Sequence, residues 1–345
     1  QSDWLMDGLP NFLWNQYVQE QYPNLPMTGS LKALPFVKNY HFVQAPYHRS
    51  WELSANVSAN KNRGQALTTP KNRLTRYNRR IANPSRAALA LMYLDHYIGG
   101  DILTRTVKSI PKGSLSNAVL KKELSRKTDK PLDWFFDHYI HLDNNVDLKL
   151  QGKKINAEIS RIHINSTNSK VAIPIKKILT NGTQQTAWIL SNDLPYEQDY
   201  KNAEISSLTI NKNQYIPERQ LNNNTYQLGN GLFRNNLKLR FLQDIAESGT
   251  ALLLYRPEFA YNYYDGLLGG ISIANSSILA NTFRFKFSPQ YGVKRKQISG
   301  LGFLIADFYK ENSSHYLTRI NLFGSSFHYA PQLRYTVFTP SLIFY

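Results

Sequence analysis

The spacing of apolar residues changes twice along this chain, and the changes mark three stretches. In the first, apolar side chains recur at helical intervals. Leu9, Phe12, Leu13, Tyr17 and Val18 keep that interval until Pro23 stops it. A second helix is predicted over residues 83–98. Asn83 suits its cap, Pro84 suits a first turn whose N–H has no partner to lose, and Gly99-Gly100 ends it. A third is predicted over 116–126, and a fourth over 131–141 with Leu132, Phe135, Phe136 and Tyr139 on one side. Short helices in series predict a bundled or α-solenoid-like arrangement.

From about residue 147 the period shortens. The runs 155–164, 171–175, 186–190 and 203–210 are β-prone and separated by Asn, Gly, Lys and Pro, with a hairpin signal at Asn181-Gly182. They predict a small antiparallel β-sandwich. From about Leu237 the alternation becomes strict. Thr282, Arg284 and Lys286 interleave with Phe283, Phe285 and Phe287, and Leu317, Arg319 and Asn321 with Thr318, Ile320 and Leu322. Six strands of about ten residues fit between 251 and 345, with Tyr and Phe near their ends. A bilayer-crossing strand needs about 9–11 residues, and aromatic girdles mark both interfaces. Cations that alternate with Phe predict a transmembrane barrel rather than a water-facing sheet. Such barrels have at least about eight strands. The six are therefore expected to be an incomplete part, completed outside this chain.

Composition narrows the partners. Forty-one Lys+Arg against 24 Asp+Glu gives a net charge of +17, which favours anionic surfaces. No nucleic-acid-binding signature accompanies it, so no nucleic-acid partner is expected. The absence of cysteine excludes disulfides, Cys-ligated zinc and thiol catalysis. The longest apolar run, 87–94, falls far short of the roughly 20 residues of a membrane helix. The sequence starts without Met or a signal peptide, as expected of a processed or excised chain. Between residues 61 and 86 stand eight cations and no acid. Lys61, Arg63, Lys71, Arg73, Arg76, Arg79 and Arg80 are the candidate binding residues, for phosphate-bearing lipid or a partner; the alternative is a solvated basic loop.

The segment Trp4-Leu5-Met6-Asp7-Gly8-Leu9-Pro10-Asn11-Phe12 resembles the W-L-x-E-G-[FL]-x-x-[FY] signature of gluzincin zinc aminopeptidases of the membrane alanyl aminopeptidase type. Residues 88–99 and 124–135 are similar to the way that family continues, and 215–219 to the end of its β-module. The stretch 255–270 resembles the opening strands of outer-membrane barrels. The resemblance implies that Asp7 stands at the third zinc-ligand position, with the H-E-x-x-H helix before residue 1. It also implies departures. Asp is shorter than Glu by about 1.5 Å. Pro84 occupies the place of the oxyanion-stabilising tyrosine, with Tyr77 the nearest substitute. His138 and His141, at i, i+3, lack the pattern of the family's histidine pair; the spacing allows both on one metal, and the alternative is ordinary residues at a helix end, where the dipole favours a cation.

The fold class expected is multidomain α + β. A helical gluzincin-like domain takes residues 1–145, a β-sandwich 146–235, and incomplete outer-membrane barrel strands 236–345. The function expected is an outer-membrane-anchored protein whose periplasmic, degenerate peptidase domain serves as a binding scaffold. Its partners would be outer-membrane lipid and peptides or another envelope protein. One alternative is an active zinc aminopeptidase with zinc as cofactor; another is a subunit of an outer-membrane assembly or secretion complex.

Overall fold

The computed structural model describes residues 3–143, 146–166, 170–190, 194–228, 236–246, 249–310 and 314–345. The fold is mixed α + β, and the chain divides into two compact units, residues 1–235 and 236–345. The boundaries expected at 145/146 and 235/236 each involve a residue outside the described stretches.

The first unit opens with helices α1 (Asp3–Gln21), α2 (His41–Gln44), α3 (Arg49–Asn60), α4 (Asn83–Ile98), α5 (Ile102–Ser109) and α6 (Asn117–Ser125). Helix α4 is its axis, with residues 87–91, 93 and 94 fully buried. Its start corrects the capping expectation. Asn78–Ala82 already forms a π-helical turn that runs straight into α4, so Asn83 has helical dihedrals and caps nothing. Ser116 does cap α6, its hydroxyl accepting from the Val119 N–H at 3.3 Å. The predicted fourth helix is a π-helical turn, Trp134–His138, followed by a 3-10 turn, Tyr139–His141. Helices α3 and α5 are further elements of the unit, beyond those predicted from the sequence.

Two antiparallel sheets complete the unit. One has the order β1-β2-β5, with β1 Leu148–Lys154, β2 Ile159–Ser166 and β5 Tyr196–Lys201. The other has the order β4-β3-β6-β7, with β3 Ile173–Leu179, β4 Gln184–Ile189, β6 Ile205–Ile210 and β7 Thr225–Gln227. The run 155–164 proves to be the turn and second strand of a hairpin, not one strand. Gly182, with φ +84°, makes the β3–β4 turn as Asn-Gly predicts. Ile162 and Ile164 from one sheet, Ile173 and Leu208 from the other, and Leu89, Tyr93 and Tyr139 from the helices share a single core.

The second unit is one seven-stranded sheet in sequence order from β8 to β14. Its strands are β8 Asn236–Phe241, β9 Thr250–Asn262, β10 Gly266–Ala274, β11 Phe283–Gly292, β12 Gln297–Tyr309, β13 Leu317–Ala330 and β14 Leu333–Phe344. From β9 to β14 the pairing is antiparallel, strand to next strand. One point corrects the expectation of antiparallel barrel strands: β8 lies parallel to β9. Among the described residues the sheet is open, with β8 and β14 at its edges. Turn lengths alternate. Residues 263–265, 293–296 and 331–332 make tight turns at one end, whereas 275–282 and 310–316 make longer connections at the other.

Candidate functional site

Asp7 sits one residue before the crossing of α1 and α4. The crossing is close because residue 8 is glycine: a Cβ there would stand 2.9 Å from the Ala87 carbonyl carbon and oxygen. Trp4, Leu5, Leu9 and Phe12 bury the inner stripe of α1, and Trp4 Nε1 donates to Asn117 Oδ1 at 3.0 Å. The Asp7 carboxylate faces a cation, not a ligand set: Lys71 Nζ approaches Oδ1 to 2.8 Å. Among the described residues no three His, Asp or Glu converge on one point. Zinc needs three or four such donors. The described residues do not bring such a set to Asp7.

The remaining resemblance-derived positions are occupied as follows. Pro84 is in the first turn of α4. The Tyr77 hydroxyl donates to the Ser54 carbonyl on α3 at 3.2 Å, and burial raises its pKa. His141 Nδ1 lies 3.0 Å from the Thr68 hydroxyl, and both His138 and His141 are exposed. Lys61, Arg63, Lys71, Arg73, Arg76, Arg79 and Arg80 all keep exposed side chains. Of these seven, Lys71 alone pairs with a carboxylate among the described residues.

Two buried polar groups of this unit, Glu218 and Arg86, lie outside the candidate site residues read from the sequence. Glu218 accepts from the Leu148 N–H at 2.8 Å and from Asn211 and Asn224 side-chain amides at 2.5 and 2.7 Å. Its backbone N–H donates to Asn56 of α3 at 3.0 Å, so one residue, through its carboxyl and its main chain, ties a helix to three β-module segments. Burial pushes its pKa well above the usual carboxylate range against the pull of those donors. Arg86, equally buried, donates to the Gln65 and Leu142 carbonyls and lies over the Tyr139 ring. Burial lowers its pKa, opposed by Tyr139 and Asp143. Both groups hold loops to the core.

The second unit has an unusual distribution of polarity. Strand register assigns its side chains to two faces. One carries Arg256, Glu258, Ser272, Arg284, Lys286, Ser288, Asp307, Arg319 and Asn321. Several of these groups pair with one another. Arg319 forks onto both oxygens of Asp307 at 2.6 and 3.0 Å, Arg284 reaches the same carboxylate at 2.8 Å, and Lys286 meets Glu258 at 3.1 Å. The Asp307 side chain is 0% exposed. The opposite face is apolar and open to the surroundings, with Phe259 73%, Tyr261 74% and Phe338 68% exposed. Ile271, Phe283, Phe287, Ile320 and Leu342 share it and are also exposed.

Aromatic residues gather at both ends of that sheet. Tyr261, Tyr263, Tyr291 and Tyr329 are exposed near the tight turns, and Phe283, Phe308, Phe344 and Tyr345 near the longer connections. The sheet also curls. The Asp265 carboxylate, in the β9–β10 turn, reaches Ser299 on β12 at 3.5 Å and the His328 ring on β13 at 2.5 Å. A turn can touch a strand three places further along the sheet only if the sheet bends towards that turn. No family model matches the chain, and no curated protein matches it either.

Proposed function

We propose that this chain belongs to an outer-membrane-anchored protein. Its second unit is part of a transmembrane β-barrel, and its first is a periplasmic, peptidase-like body that has lost its chemistry and acts as a binding scaffold. The observation that carries the reading is the reversed polarity of the seven-stranded sheet. In water, large apolar side chains are buried and charges exposed; here Asp307 is covered while Phe259, Tyr261 and Phe338 are exposed. An outward apolar band between aromatic girdles, over a paired polar interior, is the arrangement that hydrocarbon outside and a filled lumen inside would select. Strands of 9 to 14 residues from β9 to β14 are long enough to cross. Short turns are periplasmic in such barrels and longer loops extracellular, which orients the sheet. Edges at β14 and β8 would need further strands in lipid.

The scaffold half of the reading rests on Asp7. A carboxylate neutralised by Lys71 is a poor start for a metal site, and the cations at 61–80 supply anion-binding capacity without catalysis. The packing of Gly8 on Ala87 favours a second reading, an active zinc aminopeptidase, because it gives the resembling segment a defined structural purpose. The two readings separate in one experiment on the full-length protein. Zinc content is measured by mass spectrometry, with aminopeptidase turnover before and after chelation, for wild type and Asp7→Ala. The scaffold reading predicts no stoichiometric zinc in either and unchanged folding in the variant, since an exposed ion pair contributes at most about 1 kcal/mol. Zinc in the wild type that disappears in Asp7→Ala would replace it with the enzyme.

A further inference from the structure

On the apolar face of the second unit the strand register builds a trough. Reading across β11, β12, β13 and β14, one row is Phe287–Gly302–Gly324–Phe338. The next row towards the tight turns is Pro289–Gly300–Ser326–Thr336, and the next row the other way is Phe285–Leu304–Leu322–Pro340. Glycine and serine on the two central strands make a floor, Phe287 and Phe338 make walls, and Leu304 with Leu322 closes one end. The cavity so formed has a volume of about 630 Å³. At the open end stands Arg334, the one cation of the lining. Its Nε donates to Ser326 Oγ at 2.7 Å and its Nη2 to the Ile298 carbonyl. Both acceptors are neutral, so the guanidinium charge is held in place without being compensated.

Resting on the barrel reading above, we infer that this trough holds one acyl chain of a phosphate-headed lipid, with the phosphate on Arg334. Three features converge on that occupant. The lining is apolar along its length and cationic only at its mouth, which matches the polarity of such a lipid end to end. The mouth lies at the tight-turn end, level with the exposed rings of Tyr291 and Tyr329, where headgroups would sit. The length fits too. Six residues from Arg334 to Pro340 span about 20 Å, and strands tilted about 40° convert that to about 15 Å of depth, half of a ~30 Å hydrocarbon core. A trough one leaflet deep suits a single tail. An arginine fork is also the side chain best matched to phosphate oxygens.

The test uses the full chain in detergent, delipidated and titrated with phosphatidylglycerol or with diacylglycerol of the same tails, the bound lipid being counted by native mass spectrometry. Gly324→Val fills the floor: a Cβ there has only the Val337 carbonyl oxygen nearby, at 3.8 Å, so the strand accepts it. Arg334→Gln removes the charge. Wild type should bind one phosphatidylglycerol in preference to diacylglycerol. Arg334→Gln should lose that preference by about tenfold, as expected for a lost charge-assisted contact. Gly324→Val should lose both lipids. Equal binding by wild type and Gly324→Val overturns the trough, and an unchanged preference in Arg334→Gln overturns the phosphate contact. A Gly324→Val variant that changes oligomeric state instead of lipid count makes the trough a seat for another chain. Migration that does not shift on heating, in wild type, refutes the barrel reading itself and is scored separately.

Discussion

At the residue scale, glycine 8 and aspartate 95 offer the sharpest tests of the first unit. Gly8 lets α1 approach α4 until no Cβ fits above Ala87. Gly8→Val should therefore destabilise the protein by about 1–3 kcal/mol, the usual cost of overpacking, read as a lower urea midpoint. Asp95 concerns pH. Burial, and then the charge of Asp101, raise its carboxyl pKa from 3.8 to about 6. A folded-state pKa above the unfolded one means that the folded protein binds the extra proton more readily. The stabilisation is complete below about pH 4 and is lost as pH rises through about 6. Asp95→Asn should match wild type near pH 4 and exceed it in stability near pH 8, in paired urea titrations at the two values. A constant difference across that range would remove Asp95 from the account.

At the element scale, alternation of residue type and the spacing of breakers made most elements visible. The α4 span appears in the sequence because Gly99-Gly100 ends an apolar run of helical period, and strands such as β11 and β13 appear because residue type alternates with a period of two over 282–287 and 316–322. The π-helical turn before α4 was hidden: nothing in Asn78–Ala82 distinguishes it from an irregular basic loop, and packing against the helices decides its form. The parallel β8 was hidden for a similar reason, since period-two patterning is the same for either strand direction. Site residues were least legible. The Asp307–Arg319 pair requires the β12–β13 register, and the Glu218 network joins residues 56, 148, 211 and 224, which share no local pattern. Strand β11 carries the element-scale prediction. Phe285 lies between Phe283 and Phe287 on the apolar face, so Phe285→Lys should cost roughly 2–4 kcal/mol in a bilayer and abolish heat-modifiable migration. Normal migration would mean that this face does not meet lipid.

At the scale of the whole molecule, two units of opposite surface logic share one chain. The first gathers Trp134, Tyr139, Trp188 and Tyr215 around the buried Tyr93 and leaves the cations of residues 61–80 exposed. The second exposes its aromatic residues and pairs its charges beneath them. One solvent does not reward both arrangements, so water around the first and hydrocarbon around the second is the central claim. The chain has no cysteine, which allows single spin labels to be placed at will. The most direct measurement is electron paramagnetic resonance accessibility along residues 283–288 of the protein in liposomes. The account predicts a period of two, with labels at Phe283, Phe285 and Phe287 open to dissolved oxygen and closed to a water-soluble nickel chelate, and labels at Arg284, Lys286 and Ser288 shielded from lipid-dissolved oxygen. Labels at the three phenylalanine positions that meet the nickel chelate freely would contradict it.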